Sequence, residues 1–280
     1  MSDDIRHDRH LGTVVHVVAG RQNRPNRPST DCPFCIGGLE APLPYDVFAF
    51  QNRWPALGEG KCEVVLYTPE HDSSIPSLGA SHVRKVIDVW AERTEVLRRS
   101  PDVDFVLVFE NRGDSVGATI DHPHSQIYAF DHLPERQSAI WNAGWTPDSE
   151  PLDRLVAHHG SWTAWVHRAP VFPVSIVLAP VDRMPDLASL DDRSRDDLSH
   201  LLVDVLGRCD TMFGAAMPYM MWFNQAPTSQ RSAWLHAEIV SPWRATGVHR
   251  YIAAAEVSTG EYFNPVKPED LAARLNSLRT

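Results

Sequence analysis

Residues 105–130, FVLVFENRGDSVGATIDHPHSQIYAF, are the most informative stretch of this 280-residue sequence. Both ends are apolar and rich in β-branched and aromatic residues, which predicts two strands joined by a glycine-containing turn. With the side-chain alternation of a strand, His122, His124 and Gln126 share one face. Backbone N–H groups near Gly117, beside these polar side chains, suit an anionic phosphate. A buried, hydrogen-bonded histidine pair at a strand edge is the alternative.

A strand–helix–strand pattern occurs twice along the chain. Apolar residues recur at helical spacing over 81–99 and over 191–213, which predicts two long amphipathic helices. A short apolar run precedes and follows each helix, at 63–67 and 105–109 in the first half and at 174–178 and 219–223 in the second. We therefore predict an α+β fold with two copies of one module, whose strands join in a single antiparallel sheet flanked by helices.

Four positions match between the halves at offsets of 111 to 114 residues: Pro69 with Pro180, Asn111 with Asn224, His122 with His236, and His124 with Glu238. The second copy has a glutamate where the first has a histidine, so we expect only the first to be catalytic. The predicted division is an N-terminal arm and cysteine loop over 1–40, a first repeat over 41–140, and a second, degenerate repeat over 141–280. The proline-rich arm is predicted to be irregular.

Composition limits the possible partners and location. The hydrophobic share of 43% is that of a globular protein, and the net charge of −10 argues against non-specific nucleic-acid binding. No apolar run approaches the roughly 18 residues of a membrane span, and the first ten residues are too charged for a secretory signal. We expect a cytoplasmic protein with no nucleic-acid or membrane partner.

Two of the four cysteines have the spacing of a metal site. Cys32 and Cys35 are separated by two residues, whereas Cys62 and Cys209 are isolated, which makes a poor disulfide framework. The pair supplies two of the four ligands that a closed tetrahedral zinc site needs. A loop with two unrelated thiols is the alternative at this point.

The motif HPHSQ at 122–126, following FENRG, with CPFC upstream and a degenerate second copy, resembles the galactose-1-phosphate uridylyltransferase branch of the histidine-triad (HIT) superfamily. The resemblance covers residues 21 to 274 and implies tandem HIT-like modules forming one antiparallel sheet. The serine in the motif and the tail GEYFNPVKPED at 260–270 are closer to ADP-glucose phosphorylase-like members.

The resemblance implies a ping-pong nucleotidyltransferase. A ring nitrogen of His124 attacks the α-phosphorus and forms a covalent nucleotidyl-histidine, while a backbone carbonyl holds the other ring nitrogen as a donor. Gln126 donates to the phosphoryl oxygens but cannot protonate a leaving group, so the intermediate waits for a phosphate acceptor. The implied reaction exchanges a nucleoside monophosphate between an NDP-sugar and a sugar 1-phosphate. UMP is the first candidate for that nucleoside monophosphate.

The same resemblance assigns the nucleotide-binding positions: Phe34, Phe50, Asn52 and Asn111 around base and ribose, Arg21 and Arg24 near the phosphates, and Thr119 in place of a phosphate-contacting serine. It completes a structural Zn²⁺ site on Cys32 and Cys35 with His71 and His122. Positions that hold a second, iron-type metal in some relatives read Ile140, Asn224, His236 and Glu238, so no second metal is expected.

A sugar-reading loop at 250–256 is implied to reach the partner's active site in a homodimer. Arg250, Tyr251 and Glu256 are its candidate residues, and Arg250 and Ala255 replace a lysine and a tyrosine of the galactose enzymes. The sugar and the base, uracil or adenine, therefore stay open. Alternatives are a phosphorylase using inorganic phosphate and a transferase for a specialised phosphorylated acceptor. Gln126 disfavours a hydrolase, and a non-enzymatic zinc module would be expected to have lost His124.

Overall fold

Two long helices and a nine-stranded antiparallel sheet dominate this computed structural model, which describes residues 4–18, 32–148 and 153–278. The strands are β1 (Asp4–His7), β2 (Val14–Val17), β3 (Phe48–Gln51), β4 (Cys62–Leu66), β5 (Phe105–Arg112), β6 (His124–Phe130), β7 (Leu155–His159), β8 (Trp162–Val166), β9 (Val174–Pro180), β10 (Tyr219–Asn224), β11 (His236–Ser241), β12 (Trp243–Ala245) and β13 (Val248–His249). The helices are α1 (Ile75–Leu78), α2 (Ala80–Arg98), α3 (Glu135–Asn142), α4 (Asp192–Phe213), α5 (Ala254–Thr259) and α6 (Pro268–Ser277).

The order of the central strands is β3-β4-β6-β5-β10-β11-β9-β8-β7, and every neighbouring pair is antiparallel. We call β3 to β6 with α2 the first module, and β7 to β11 with α4 the second module. The modules meet where β5 pairs with β10. The predicted single sheet of two joined modules is confirmed.

One face of the sheet carries α2 and α4 over a core that both modules share. The buried side of the strands alternates as the pleat requires, with Ile127 of the first module and Phe223 of the second in one hydrophobic cluster. Trp90 of α2 is fully buried, and its ring centroid lies 5.4 Å from that of Phe223. The side chain of Asp191 caps α4 by accepting from the backbone N–H of Ser194 at 2.8 Å.

The strand registers correct the alignment of the two halves. Asn224 lies opposite His236, and continuing the β5–β6 ladder by two residues beyond the pair Phe109–Gln126 sets Asn111 opposite His124. His236 is therefore the equivalent of His124, and Glu238 the equivalent of Gln126. The match of His122 with His236 is wrong by two residues, because it takes the connection from β10 to β11 as one residue longer than that from β5 to β6, whereas the registers make it one residue shorter.

Two local expectations also differ from the structure. β6 begins at His124, so His122 and Pro123 precede the strand because the chain there turns towards the cysteine loop. Residues 4–17 of the predicted irregular arm form the β1–β2 hairpin. Within the described ranges, no helix combines the length and apolar character that crossing a membrane requires.

Candidate active site

Four side chains from three separate segments form a compact group on the open face of the first module. The ligand atoms of Cys32, Cys35, His71 and His122 all lie within 4.8 Å of one another. The Sγ of Cys35 lies 3.6 Å from Nδ1 of both His71 and His122. A tetrahedral zinc site with ordinary bond lengths has ligand–ligand edges of about 3.4–3.8 Å. The group therefore fits a tetrahedral metal ion.

The second ring nitrogen of His122 is held by the backbone. Its Nε2 lies 2.7 Å from the carbonyl oxygen of Thr68, so Nε2–H donates and Nδ1 carries the lone pair towards the cysteines. Burial lowers the pKa of His122, which favours the neutral imidazole that a metal requires. The hydroxyl of Tyr45 donates to the carbonyl of Phe34 at 2.6 Å, which ties the cysteine loop to the same corner.

His124 is fixed in one tautomer by its own chain. Its Nδ1 lies 2.8 Å from the carbonyl oxygen of His122, so Nδ1–H donates and the lone pair resides on Nε2. The side chain is only 8% exposed, and the ring of Phe34 meets it edge to face at 5.1 Å. A neutral imidazole with an oriented lone pair is the form in which histidine acts as a nucleophile.

A buried serine anchors the strand on its other side. Ser125 lies between His124 and Gln126, and its Oγ accepts from Trp90 Nε1–H at 2.7 Å beneath the sheet. The sequence marks this serine only as a feature of the motif, because its partner Trp90 lies 35 residues away in α2. The bond fixes the segment whose neighbouring side chains face the open side.

A cavity of about 530 Å³ opens beside His124, within the range of nucleoside-sized ligand pockets. Its lining includes five of the predicted positions, Phe34, Phe50, Asn52, His124 and Gln126, together with Trp54 and Ile120. The Nδ2 of Asn52 donates to Oε1 of Gln126 at 3.5 Å. This contact engages the oxygen of the Gln126 amide, so its N–H groups are the part suited to an acceptor in the cavity.

Asn111, predicted to enclose the base and ribose, lines a small cleft with His122 and His124 and is not among the residues that line the cavity beside His124. Gly117 has a φ of +89° at the end of a short 3₁₀ turn, a conformation that favours glycine. Gly117 and half-buried Thr119 belong to the turn but line neither the cavity nor the cleft. The predicted Arg21 and Arg24 lie outside the described residues.

The C-terminal loop residues are brought together, but away from this cavity. Arg250 is buried and forms an ion pair with Glu256, whereas Tyr251 is 77% exposed. Backbone N–H groups of Phe263 and Ala253, together with Arg250, hold the pKa of Glu256 below its ordinary value. None of these residues lines the cavity beside His124.

A buried carboxyl lies at the module junction and was not predicted from the sequence. Glu110 accepts hydrogen bonds of 2.8 Å from the hydroxyls of Tyr67 in the first module and Tyr219 in the second. Burial raises the pKa of Glu110 to about 7. The sequence signal for this position is a glutamate that directly follows the apolar run 105–109 within the predicted strand.

The fold and site define a class: with tandem HIT-like modules in one sheet, the chain is a nucleotidyltransferase of the histidine-triad superfamily. Sequence models of the N-terminal and C-terminal domains of galactose-1-phosphate uridyl transferase match residues 51–134 and 124–279. The chain belongs to the galactose-1-phosphate uridylyltransferase family.

Individual relatives agree with this assignment. The galactose-1-phosphate uridylyltransferase of Thermotoga maritima is 32% identical over 93% of this chain and 94% of its own. That of Streptomyces lividans is 34% identical over 82% of this chain and 72% of its own. A solved uridylyltransferase superposes with a TM-score of 0.87 at 27% identity, covering 98% and 97% of the two chains. An ADP-glucose phosphorylase from Arabidopsis thaliana, with a TM-score of 0.79 at 21% identity over the full length of both, shares the fold.

Proposed function

We propose that this enzyme transfers a nucleoside monophosphate between an NDP-sugar and a sugar 1-phosphate through a covalent intermediate on His124. UMP is the first candidate for the transferred group. The observation that carries the proposal is the 2.8 Å contact between His124 Nδ1 and the His122 carbonyl, which leaves the lone pair on Nε2. In the first step Nε2 bonds to the α-phosphorus and the sugar 1-phosphate leaves. In the second step an acceptor phosphate oxygen takes the nucleotide and the bond to Nε2 breaks.

Gln126 is proposed to stabilise the charge that develops on the phosphoryl oxygens. Its amide oxygen is engaged by Asn52, so the amide N–H groups are the donors suited to that role. A neutral amide has no proton to give to a leaving group, which favours transfer to a phosphate acceptor over hydrolysis. Phe34, Phe50 and Asn111 are proposed to hold the base and ribose, and Thr119 and the backbone at Gly117 the phosphates.

The metal in the Cys32, Cys35, His71 and His122 group is proposed to be a structural Zn²⁺. The donor set of two thiolates and two imidazoles and its tetrahedral edges support zinc. When bound, the ion would hold the cysteine loop against the segment that carries His124. Because four protein ligands would complete the tetrahedral coordination of the ion, substrate is not expected to coordinate the metal.

Arg250 is proposed to act on the acceptor in a partner subunit's site. Its Nη1 is buried and has no hydrogen-bond partner among the described residues, so an anion brought to it would find a donor. Large apolar side chains near this loop and on the N-terminal hairpin are exposed: Leu11, Val15, Tyr251, Val257 and Phe263. Such exposure supports a homodimer, in which Arg250, Tyr251 and Glu256 form the sugar-reading loop.

Two further proposals concern organisation and location. We retain the division into an arm with the cysteine loop over 1–40, a catalytic repeat over 41–140 and a degenerate repeat over 141–280. None of the four cysteines forms a disulfide, which supports a location in the reducing cytoplasm.

The test is to incubate the enzyme with α-labelled UDP-glucose, UDP-galactose or ADP-glucose and no acceptor. We expect an acid-labile, base-stable adduct with a UDP-sugar, discharged by a sugar 1-phosphate. Discharge by inorganic phosphate alone would instead identify a phosphorylase. Persistence of the label in His124→Ala would contradict the covalent mechanism.

Complementation tests the dimer. Mixed His124→Ala and Arg250→Ala chains should regain activity, since one site of the hybrid is intact. An inactive hybrid whose composition has been verified would place Arg250 outside the partner's site.

A further inference from the structure

The second module has its own cavity of about 290 Å³ on the open face of the sheet, where the strand registers place the equivalent of the first site. We call it the second-module cavity. Trp141, Trp145 and Trp234 line it, together with Asn224 and His236. Its volume is near the lower end of the range for ligand pockets, roughly 300–1,000 Å³. Neither the fold nor the proposed transfer reaction requires three tryptophans to meet there.

Asn224 presents an unpartnered acceptor in the wall of this cavity. The residue is 5% exposed, and its Nδ2 donates to Oε1 of Glu238 at 3.0 Å. That bond fixes which way the amide is turned. Its Oδ1 is buried and has no hydrogen-bond partner in the part of the chain that the structure describes. Because a buried carbonyl without a partner is destabilising, a ligand donor at this atom is favoured.

His236 supplies a second acceptor next to the first. Its Nδ1–H donates to the carbonyl of Trp234 at 2.9 Å, so the lone pair is on Nε2. Burial lowers the pKa of His236 to about 4, and the ring is neutral at pH 7. Since Asn224 and His236 lie directly opposite in the β10–β11 ladder, their Cβ atoms are about 4.5–5.5 Å apart on the same face. Trp145 stacks on the imidazole at 3.6 Å.

The charges around the cavity disfavour a cationic ligand. The carboxylate of Glu238 accepts from Arg136 Nη2 at 3.0 and 2.9 Å, so its charge is paired. The guanidinium of Arg183 lies over the Trp234 ring at 5.4 Å from its centroid and adds positive charge at the wall. A cation entering here would find no unpaired negative charge among the described residues, and burying it would be costly.

We propose that the second-module cavity binds a neutral, planar heteroaromatic ring whose edge carries two adjacent N–H donors, as the N1–H and N2–H of a guanine-type base do. The tryptophan walls take the ring by stacking, and Asn224 Oδ1 and His236 Nε2 accept from its edge. The site is expected to bind without reacting, because Glu238 stands where the first module has Gln126, so the amide donor proposed to act on the phosphoryl oxygens is missing. This proposal does not depend on the transfer reaction.

The experiment is a titration of the full-length protein with guanosine, inosine and adenosine by equilibrium dialysis. Guanosine should bind most tightly, and inosine, which lacks the N2 amino group, should bind about 10-fold more weakly, the equivalent of about 1.4 kcal/mol. Asn224→Leu should weaken guanosine binding about 10-fold or more. The matched control is Asn111→Leu, the equivalent position in the first module, which should leave guanosine binding at the second-module cavity unchanged.

Three results would overturn the proposal. One is the absence of saturable guanosine binding at millimolar concentration. Another is binding that survives Asn224→Leu and is lost in Asn111→Leu, which would assign guanosine to the first cavity. The third is equal affinity for inosine and guanosine, which would show that the site does not recognise two adjacent N–H donors. If Asn224→Leu fails to fold, Trp145→Ala, at a half-buried position, should weaken guanosine binding instead, and unchanged affinity in that variant counts against the site.

Discussion

The two modules present the same backbone with different side-chain chemistry. In both, a histidine opposite an asparagine donates its Nδ1–H to the carbonyl two residues earlier: His124 to His122 and His236 to Trp234. Beside His124 stand an amide and a Cys/His group. Beside His236 stand a carboxylate and a stacked indole. Tautomer control therefore comes with the strand register, whereas we expect reactivity towards phosphate to depend on the neighbours of the histidine.

The largest difference is expected from removing each histidine in turn. His124→Ala should lower nucleotide transfer by more than about 10⁴-fold, since a methyl group cannot replace a nucleophile. His236→Ala should retain transfer within a few-fold of wild type. Steady-state rates with a UDP-sugar and a sugar 1-phosphate measure both. Comparable losses in the two folded variants would mean that the modules are not divided into a reacting and a non-reacting copy.

Exchanging the side chains of Gln126 and Glu238 between the modules should have the next largest effect on the nucleotidylation rate. Gln126→Glu gives the first module the carboxylate of the second, and we expect about 10²–10³-fold slower nucleotidylation, because a donor to the phosphoryl oxygens is replaced by a like charge. Glu238→Gln, the reverse change, should leave the rate unchanged. Single-turnover labelling of His124 provides the measurement. A Gln126→Glu enzyme as fast as wild type would show that this amide does not act on the phosphate.

Metal loss should affect the first module alone. Cys35→Ser should abolish stoichiometric zinc and lower the melting temperature by roughly 5–10 °C, because structural zinc binding is coupled to folding. Cys209→Ser, at a buried position outside the group, should keep about one zinc per chain. Elemental analysis and calorimetry of the same preparations test this. Full stability of zinc-free wild type is the contrary result.

The smallest effect concerns the carboxyl shared between the modules. The pKa of Glu110 rises from 4.5 to about 7 on burial, so between these values the folded chain binds the proton that the unfolded chain has lost. The contribution to stability is complete below pH 4.5 and is lost as the pH rises through 7. Wild type should lose roughly 2–3 kcal/mol relative to Glu110→Gln between pH 5 and 8. Urea unfolding of both proteins measures the difference, and exposed Glu92→Gln is the control. Parallel pH profiles for wild type and Glu110→Gln would contradict it.

The helices and strands of the fold were predictable because the spacing of apolar residues in the sequence indicates them. The helix expected over 191–213 is α4 (Asp192–Phe213), and the helix expected over 81–99 is α2 (Ala80–Arg98). The cysteine spacing and the histidine motif, read through the family resemblance, named all four members of the Cys/His group that could hold a metal ion. These signals are local in sequence or carried by a short motif.

Features that depend on distant pairs were not predictable. The Trp90–Ser125 bond, the junction at Glu110 and the meeting of three tryptophans join segments far apart along the chain. The correct equivalence of His236 required the strand register, because the sequence does not indicate which of the two connections is the longer. The ion pair of Arg250 with Glu256 depends on the path of a loop, which has no period.

The pairing of β5 with β10 has a consequence for the history of the chain. Phe109 and Trp222, which are equivalent residues of the two modules, lie directly opposite each other, so a local two-fold axis passes between them. That is the geometry of an isologous subunit contact, here enclosed within one polypeptide. A symmetric pair of identical subunits carries every substitution twice, in both of its sites. A fused pair can keep one site under selection while the other diverges, so the residues that line the second-module cavity are free to differ from those beside His124.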